Sequence, residues 1–533
     1  MDMTSPRLDA GTEAQTELEL KLTCDPARLS KLLKSLTKAG GVDLKNRKTA
    51  RVVSTYYDTE DRRLRRRGLT LRIRKKSGKL EQTIKSTGVS VSGILAREEW
   101  TVPVTSKTPD LSAVQSADVR GRMGLILPQE LTPVFTTDIK RTTLLVEHAV
   151  SPGNSATVEL AFDQGKVNAG QKSRPISELE LELVSGTMSA MLDLAVTLSR
   201  QTKMVLTQTS KVEGGFELAD GTYPRATMAS KIPLTRAASI EDAMVKVFSA
   251  SLGQLLANRA AAACGTDIEG VHQARIAIRR MKSAFSVFKK FLVCPEVPSI
   301  KAELTWLMDI LGPARDLDVF LDEVLPAVMA DRPDDPDLAA LANVAAKAHS
   351  AAYRKVRSAL NSARYSALAL TMASWIEHRA WRDHVAQDAL DAPLVELAGP
   401  LLTKRQRHVM KRGKGFRKLT AAERHQVRIA LKKHRYAMEF FSGLYPDSHT
   451  RPFIAAMRIL QHALGAANDV ATAEHLTAFL IDRAEAGGKD TDKVRSGAGK
   501  VLGWHTHAAA EAERGIVSLW THYAESRPFW HSA

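Results

Sequence analysis

Two stretches of the chain alternate charge and leucine with a period of two: Glu17-Leu18-Glu19-Leu20-Lys21, and Glu178-Leu179-Glu180-Leu181-Glu182-Leu183. That period belongs to a β-strand, whose successive side chains leave on opposite faces. Glu17, Glu19 and Lys21 then share one face, and Leu18, Leu20 and Leu22 take the other. Arg72 and Arg74 likewise share a face, opposite Leu71 and Ile73. Taken singly, each is an amphipathic strand with one wet side. Together they suggest a barrel that is apolar outside, under its helices, and charged inside. Buried charges persist only when paired or bound to a ligand. Acids on some strands and Arg or Lys on others therefore suit a metal beside a strongly anionic substrate.

The bulk numbers agree with an anionic partner. A chain of 533 residues is long enough for several domains. Its net charge is +17 and its pI about 9.7, a balance that points to nucleic acid, a membrane surface or polyphosphate. Aromatic residues are only 5% of the chain, which leaves little for base stacking and counts against nucleic acid. Cys24, Cys264 and Cys294 are far apart, so a structural zinc site is not expected and a reducing compartment is. No apolar run approaches the roughly 18 residues that span a bilayer. Residues 1–15 carry no basic segment followed by an apolar one and read as a disordered tail, so a cytoplasmic protein is expected.

Residues 16–215 are rich in strand signals. Arg51–Tyr57, Leu69–Arg74, Glu98–Val102, Thr142–Glu147, Thr157–Phe162 and Glu178–Val184 are β-rich and separated by turns such as Ser77-Gly78. Helical spacing marks Asp25–Ala39 and Ser189–Lys203. Closely spaced strands with few helices predict an antiparallel sheet or barrel. Residues 216–235 read as a linker, and 236–530 as helical throughout.

The helical half is duplicated. His272-Gln-Ala-Arg275-Ile-Ala-Ile-Arg279-Arg280-Met-Lys282 recurs as His425-Gln-Val-Arg428-Ile-Ala-Leu-Lys432-Lys433-His-Arg435, and the offset, 425 minus 272, is 153. Leu311-Gly312 to Asp316 recurs as Leu464-Gly465 to Asp469 at the same offset. Repeats of about 236–385 and 390–530 follow, each with room for a four-helix bundle. His272, Arg275, Arg279 and Lys282 fall within an arc of roughly 80° of a helix, as do His425, Arg428, Lys432 and Arg435. Lys411-Arg-Gly-Lys-Gly-Phe-Arg-Lys418 adds a basic loop.

The ordered set of ExExK, Tyr56-Tyr57-Asp58-Thr59, Leu-Arg-Ile-Arg74, Lys85 and Glu178–Gly186 resembles the CYTH family of triphosphate tunnel metalloenzymes. The resemblance implies an antiparallel β-tunnel that hydrolyses or cyclises triphosphates with Mg²⁺ or Mn²⁺. It implies Glu17, Glu19, Asp163, Glu178 and Glu180 as metal ligands, with Glu182 a further candidate. It implies Lys21, Arg72, Arg74, Lys85, Arg141 and Lys211 as contacts to the phosphates. The chain has Val53 where relatives often carry a basic residue, and Arg51, on the same strand face, is expected to substitute for it in the tunnel. The duplicated HxxRxxxRRxK motif resembles the CHAD domain, which implies binding of inorganic polyphosphate by His272, Arg275, Arg279, Arg280 and Lys282 and by His425, Arg428, Lys432, Lys433 and Arg435. Asp316 and Asp469 are expected to orient a stripe arginine or to cap a helix.

The expected architecture is α+β: an N-terminal antiparallel β-tunnel with flanking helices, then an all-α domain of two duplicated four-helix bundles. The expected function is metal-dependent hydrolysis of inorganic triphosphate in the tunnel, with polyphosphate held by the helices. The localisation that follows is cytoplasmic, alongside polyphosphate granules. Two alternatives remain open: a non-catalytic polyphosphate-binding scaffold, and an adenylate cyclase or thiamine triphosphatase that uses the same tunnel.

Overall fold

The alternating segments do form strands, and the strands close on themselves. The structure, a computed structural model, describes residues 15–38, 46–86, 88–91, 94–488 and 490–531. The expected disordered tail therefore lies outside the described residues. The strands are β1 Gln15–Thr23, β2 Lys48–Asp58, β3 Leu69–Lys76, β4 Lys79–Ser86, β5 Val89–Val91, β6 Ile94–Val104, β7 Thr132–Ser151, β8 Asn154–Ala169, β9 Lys172–Gly186 and β10 Val205–Thr207. Their order is β10-β1-β9-β8-β7-β2-β3-β4-β6-β5, with every pairing antiparallel. An additional pairing of β1 with β6 joins the two ends into a barrel of eight strands, with β5 and β10 as side pieces.

Closure fixes which face is inside. Leu20, Leu22, Leu179 and Leu181 are at most 1% exposed and lie on the outer face, under the helices Pro26–Lys38 and Met188–Thr202. A second outer layer gathers Leu64, Leu69, Leu71, Ile84, Val119 and Met123 beneath the short helix Ala117–Met123. Apolar residues that a lone strand would leave wet are thus covered, and the charged faces are turned inward. Arg51 is a correction: it does not share the tunnel face. It points outward, 74% exposed, and holds Asp138 in a bidentate pair at 2.9 and 2.6 Å. Val53 shares that outer face by the same alternation.

One compact unit contains the barrel, the chain up to Arg225 and also Asn361–His378, whose helix Ala363–Glu377 packs on Met188–Thr202. The other takes Ala226–Leu360 and Arg379–Ala533. In this second unit four helical stretches, Ile240–Ala257, Glu269–Val287, Glu296–Val319 and Pro336–Leu360, have counterparts. These are Leu394–Arg412, Ala421–Phe441, the pair Asp447–Ala463 and Ala466–Gly487, and Thr491–Glu525. Each counterpart begins within a few residues of the expected offset. The repeated Leu-Gly segment differs between copies. In the first it runs through a continuous helix that accommodates Pro313, and in the second the chain breaks at Leu464-Gly465.

Candidate active site

Register places the charged residues around the barrel. Lys21 on β1 lies opposite Glu180 on β9, Asp163 on β8 faces both Glu178 and Arg141, and Arg72 and Arg74 on β3 face Thr83 and Glu81 on β4. Paired residues in a sheet share a face, so this whole set points inward. In the closed order β9 and β8 stand across the barrel from β3 and β4. One wall is therefore acidic and the opposite wall basic.

The acidic wall is already knitted to cations. Lys21 Nζ lies 2.6 Å from Glu180 and 3.3 Å from Glu19. Arg141 donates to both oxygens of Asp163, at 2.8 and 2.6 Å, and contacts Glu180. Lys211 Nζ lies 2.7 Å from Asp163 and 2.8 Å from Glu180, and pairs with Glu178 as well. Burial opposes ionisation of Glu180, but Lys21, Lys211 and Arg141 more than offset it and hold its pKa well below the usual carboxylate range. Burial likewise pulls down on Lys21 and Lys211. Glu180 and Glu19 leave Lys21 above its ordinary range, and Asp163, Glu178 and Glu180 leave Lys211 well above it.

The basic wall is less fully compensated. Arg74 is half-buried, and desolvation, followed by the charges of Arg72 and Arg141, lowers its pKa to about 10. Arg72 sits 3.5 Å from Glu99, which also pairs with Lys85. Burial would raise Glu99, yet Arg72 and Lys85 bring it down to about 2. Tyr56 shares this face, stacked on Phe135 with ring centroids 4.5 Å apart. Burial alone would raise its phenol; Arg72 and Arg74 leave it lowered.

Lys211 is not on a strand. It is the first residue of the helix Lys211–Asp220, capped by Ser210 and Glu213, each of which satisfies the other's backbone N–H. Three contacts seat that helix. Arg174 donates to the Gly214 carbonyl, Arg62 and Arg65 hold Asp220, and Phe216 meets the edge of Phe135 at 5.2 Å. Gly215 lies so close to the Phe135 ring that a Cβ there would overlap it.

The residues anticipated for the tunnel are thus placed as follows. Glu19, Lys21, Arg72, Arg74, Lys85, Arg141, Asp163, Glu178, Glu180 and Lys211 converge on the interior. Glu17 keeps its strand position on β1, but its side chain lies outside the described residues. Glu182 faces Glu19 on one side and Glu159 on the other, one step along the strands from Glu180. Asp163, Glu178 and Glu180 offer oxygens that all lie within 4.8 Å of one another. Three hard oxygen donors at that spacing suit a divalent cation such as Mg²⁺ or Mn²⁺. Sequence reasoning missed Glu99, although its parity with Thr101 on an amphipathic strand was a signal. It missed Glu159, and it missed the helix under Lys211, for which Ser210-x-x-Glu213 was the available cue.

In the helical unit the two basic helices meet. His272, Arg279 and Arg280 of the first and Arg435 of the second line one cleft of about 930 Å³, together with Arg451 and Arg458. Arg279 donates to the Tyr436 hydroxyl at 3.1 Å. Arg280 is buried and donates to Gln254, while its counterpart Lys433 is exposed. Arg435 is held by Glu439 at 2.6 Å. Arg275, Lys282, His425, Arg428, Lys432 and Lys433 are not among the cleft lining. Burial and then Arg315 lower the pKa of His272, and burial lowers that of Arg275 although Asp316 opposes it. Asp316 thus sits beside a stripe arginine, within a helix and not at its cap. The side chain of Asp469 lies outside the described residues. Arg315 went unnoticed in the sequence. No helix among the described residues is long and apolar enough to cross a membrane.

Comparison with known proteins gives two family matches: the CYTH domain over residues 15–216 and the CHAD domain over 246–478. An inorganic triphosphatase of Haemophilus influenzae is 36% identical over 205 residues, which are 38% of this chain and 54% of that protein. The chain therefore spans about half the length of that relative. Among solved structures, the CHAD domain of the plant Ricinus communis is 29% identical, covering 55% of this chain and 96% of its own, with a TM-score of 0.49. A Hippeastrum protein named for adenylyl cyclase and for a dominant triphosphatase activity is 18% identical, covering 39% and 96%, with a TM-score of 0.30.

Proposed function

We propose that this chain, a CYTH domain followed by a CHAD domain, is a metal-dependent hydrolase of inorganic triphosphate whose helical unit holds inorganic polyphosphate. One observation carries the reading: within a single closed barrel, the acids Asp163, Glu178 and Glu180 stand across from Arg72, Arg74 and Lys85. A tunnel that only bound anions would gain nothing from the acids. A tunnel that only bound cations would gain nothing from the arginines. The name of the Haemophilus influenzae relative supports inorganic triphosphate as the substrate class.

Each group then has a task. Arg72 and Arg74 fork onto the phosphate oxygens, and Lys85 adds a point charge. Asp163, Glu178 and Glu180, with Glu17 and Glu19 on β1, would hold Mg²⁺ or Mn²⁺. Such an ion supplies charge neutralisation along the phosphate chain and helps orient the attacking water. Lys21 and Arg141 fix the acids in place. The tunnel wall keeps the triphosphate extended and away from bulk water, where phosphoryl transfer is mainly positioning and electrostatic stabilisation. In the helical unit, His272, Arg279 and Arg280 supply the cleft, and their affinity for long chains would keep the enzyme where polyphosphate accumulates.

The test is phosphate release from tripolyphosphate with Mg²⁺ or Mn²⁺. Arg72→Ala and Glu180→Gln are expected to lower kcat/KM by about 10²-fold or more, with circular dichroism unchanged. Undiminished turnover in both variants would remove the tunnel as the active site. ATP and thiamine triphosphate, run beside tripolyphosphate, separate the hydrolysis of inorganic substrate from the alternatives.

A further inference from the structure

We infer that Lys211 is an internal counter-ion that occupies the metal position until triphosphate draws it away. The inference rests on the metal-triphosphate reading of the tunnel and adds to it an order of assembly. The Lys211 ammonium lies 2.7 Å from Asp163 and 2.8 Å from Glu180, and it also contacts Glu178. These are the three residues whose oxygens cluster within 4.8 Å. A divalent ion shared by the three would need the same space, because Mg²⁺ takes its oxygens at about 2.0–2.1 Å. The ammonium and the metal are therefore alternatives.

Charge points the same way. Lys21, Arg141 and Lys211 already face Glu19, Asp163, Glu178 and Glu180, three cations against four anions. Adding a divalent ion leaves an excess of positive charge in a buried space, which is costly without a partner. A triphosphate removes that excess and offers its own oxygens to the lysine. The exchange needs no movement of the helix. Its cap at Ser210, the bond from Arg174 to Gly214 and the clamp of Arg62 and Arg65 on Asp220 hold the backbone. Only the four-carbon side chain at its first residue has to swing. Metal and triphosphate consequently favour one another's binding, and metal alone binds poorly.

The experiment measures metal binding without turnover. Mn²⁺ is titrated into the full chain in the absence of phosphate, and the free ion is followed by electron paramagnetic resonance. Lys211→Met and Lys211→Gln are expected to bind Mn²⁺ at least about tenfold more tightly than the unaltered chain. Adding Asp163→Asn to either variant should abolish that gain. Lys211→Gln, whose amide still donates to the carboxylates, serves if Lys211→Met does not fold. Equal affinity in the unaltered chain and the variants, still lost with Asp163→Asn, overturns the counter-ion and leaves the metal site standing. Binding that is absent throughout, or indifferent to Asp163→Asn, overturns the metal site and the counter-ion with it.

Discussion

His434 stands where the first helical repeat has Met281, and both are fully buried. Neither ring nitrogen of His434 has a hydrogen-bond partner, and the ring meets Trp530 edge-on at 5.4 Å. Burial, then the charge of Arg405, brings its pKa down to about 3 from an ordinary 6.5. The folded chain thus refuses a proton that the unfolded chain accepts between those values. The stability tied to neutral His434 is complete above pH 6.5 and is lost as the pH falls toward 3, at about 1.4 kcal/mol per unit. His434→Met should raise stability at pH 7 by about 1 kcal/mol and flatten the acid limb, as read from urea melts between pH 7 and 4. An unchanged pH slope would mean that His434 is not neutral in the fold. The sequence placed this histidine within the repeat but could not reveal its burial, since a single His at an apolar position has no partner to betray it. Asp58 was opaque for the opposite reason. Its motif was plain, yet its task is local: the buried carboxylate accepts the N–H groups of Thr59, Leu64 and Arg65 and caps the turn after β2.

Strands were the most legible elements, because a period of two survives in sequence when one face is apolar and the other charged. Their pairing was not. Nothing local to β1 or β6 says that the two join, and that single pairing converts a sheet into a tunnel. Strand lengths were also underestimated. β7 and β8 form one long hairpin of 20 and 16 residues, whose far ends have little alternation of hydrophobicity to read. The helix Lys211–Asp220 was hidden by its two glycines, Gly214 and Gly215, poor helix formers that signal a loop. They are there for packing. Gly215→Ala is expected to push the helix off Phe135, carry Lys211 away from the acids and lower tripolyphosphate turnover at least about tenfold. Gly215→Ala combined with Phe135→Leu, which opens room for the methyl group, should recover part of the loss. Loss without recovery would locate the defect in the helix itself and not in its seat.

At the scale of the whole chain, duplication was legible because two motifs shared one offset, and the helices follow it. What the offset could not convey is how burial divides residues that look equivalent. Arg279 and Lys433 both belong to the repeated basic motif, and charge alone gives no reason to prefer one. Arg279 lines the cleft and is held by Tyr436, whereas Lys433 is exposed and lies outside it. A polyanion bound in the cleft should therefore feel the first and barely notice the second. Arg279→Ala is expected to weaken binding of long-chain polyphosphate by about tenfold. It should also reduce the steepness with which affinity falls as salt is raised, since one fewer phosphate charge is neutralised. Lys433→Ala should alter either quantity less than twofold. Fluorescence anisotropy over a salt series reads both, and phosphate release from tripolyphosphate should be unaffected in each variant, because neither residue belongs to the barrel unit. Equal losses in the two variants would mean that polyphosphate is drawn by the general basic surface and that the cleft has no special part in holding it.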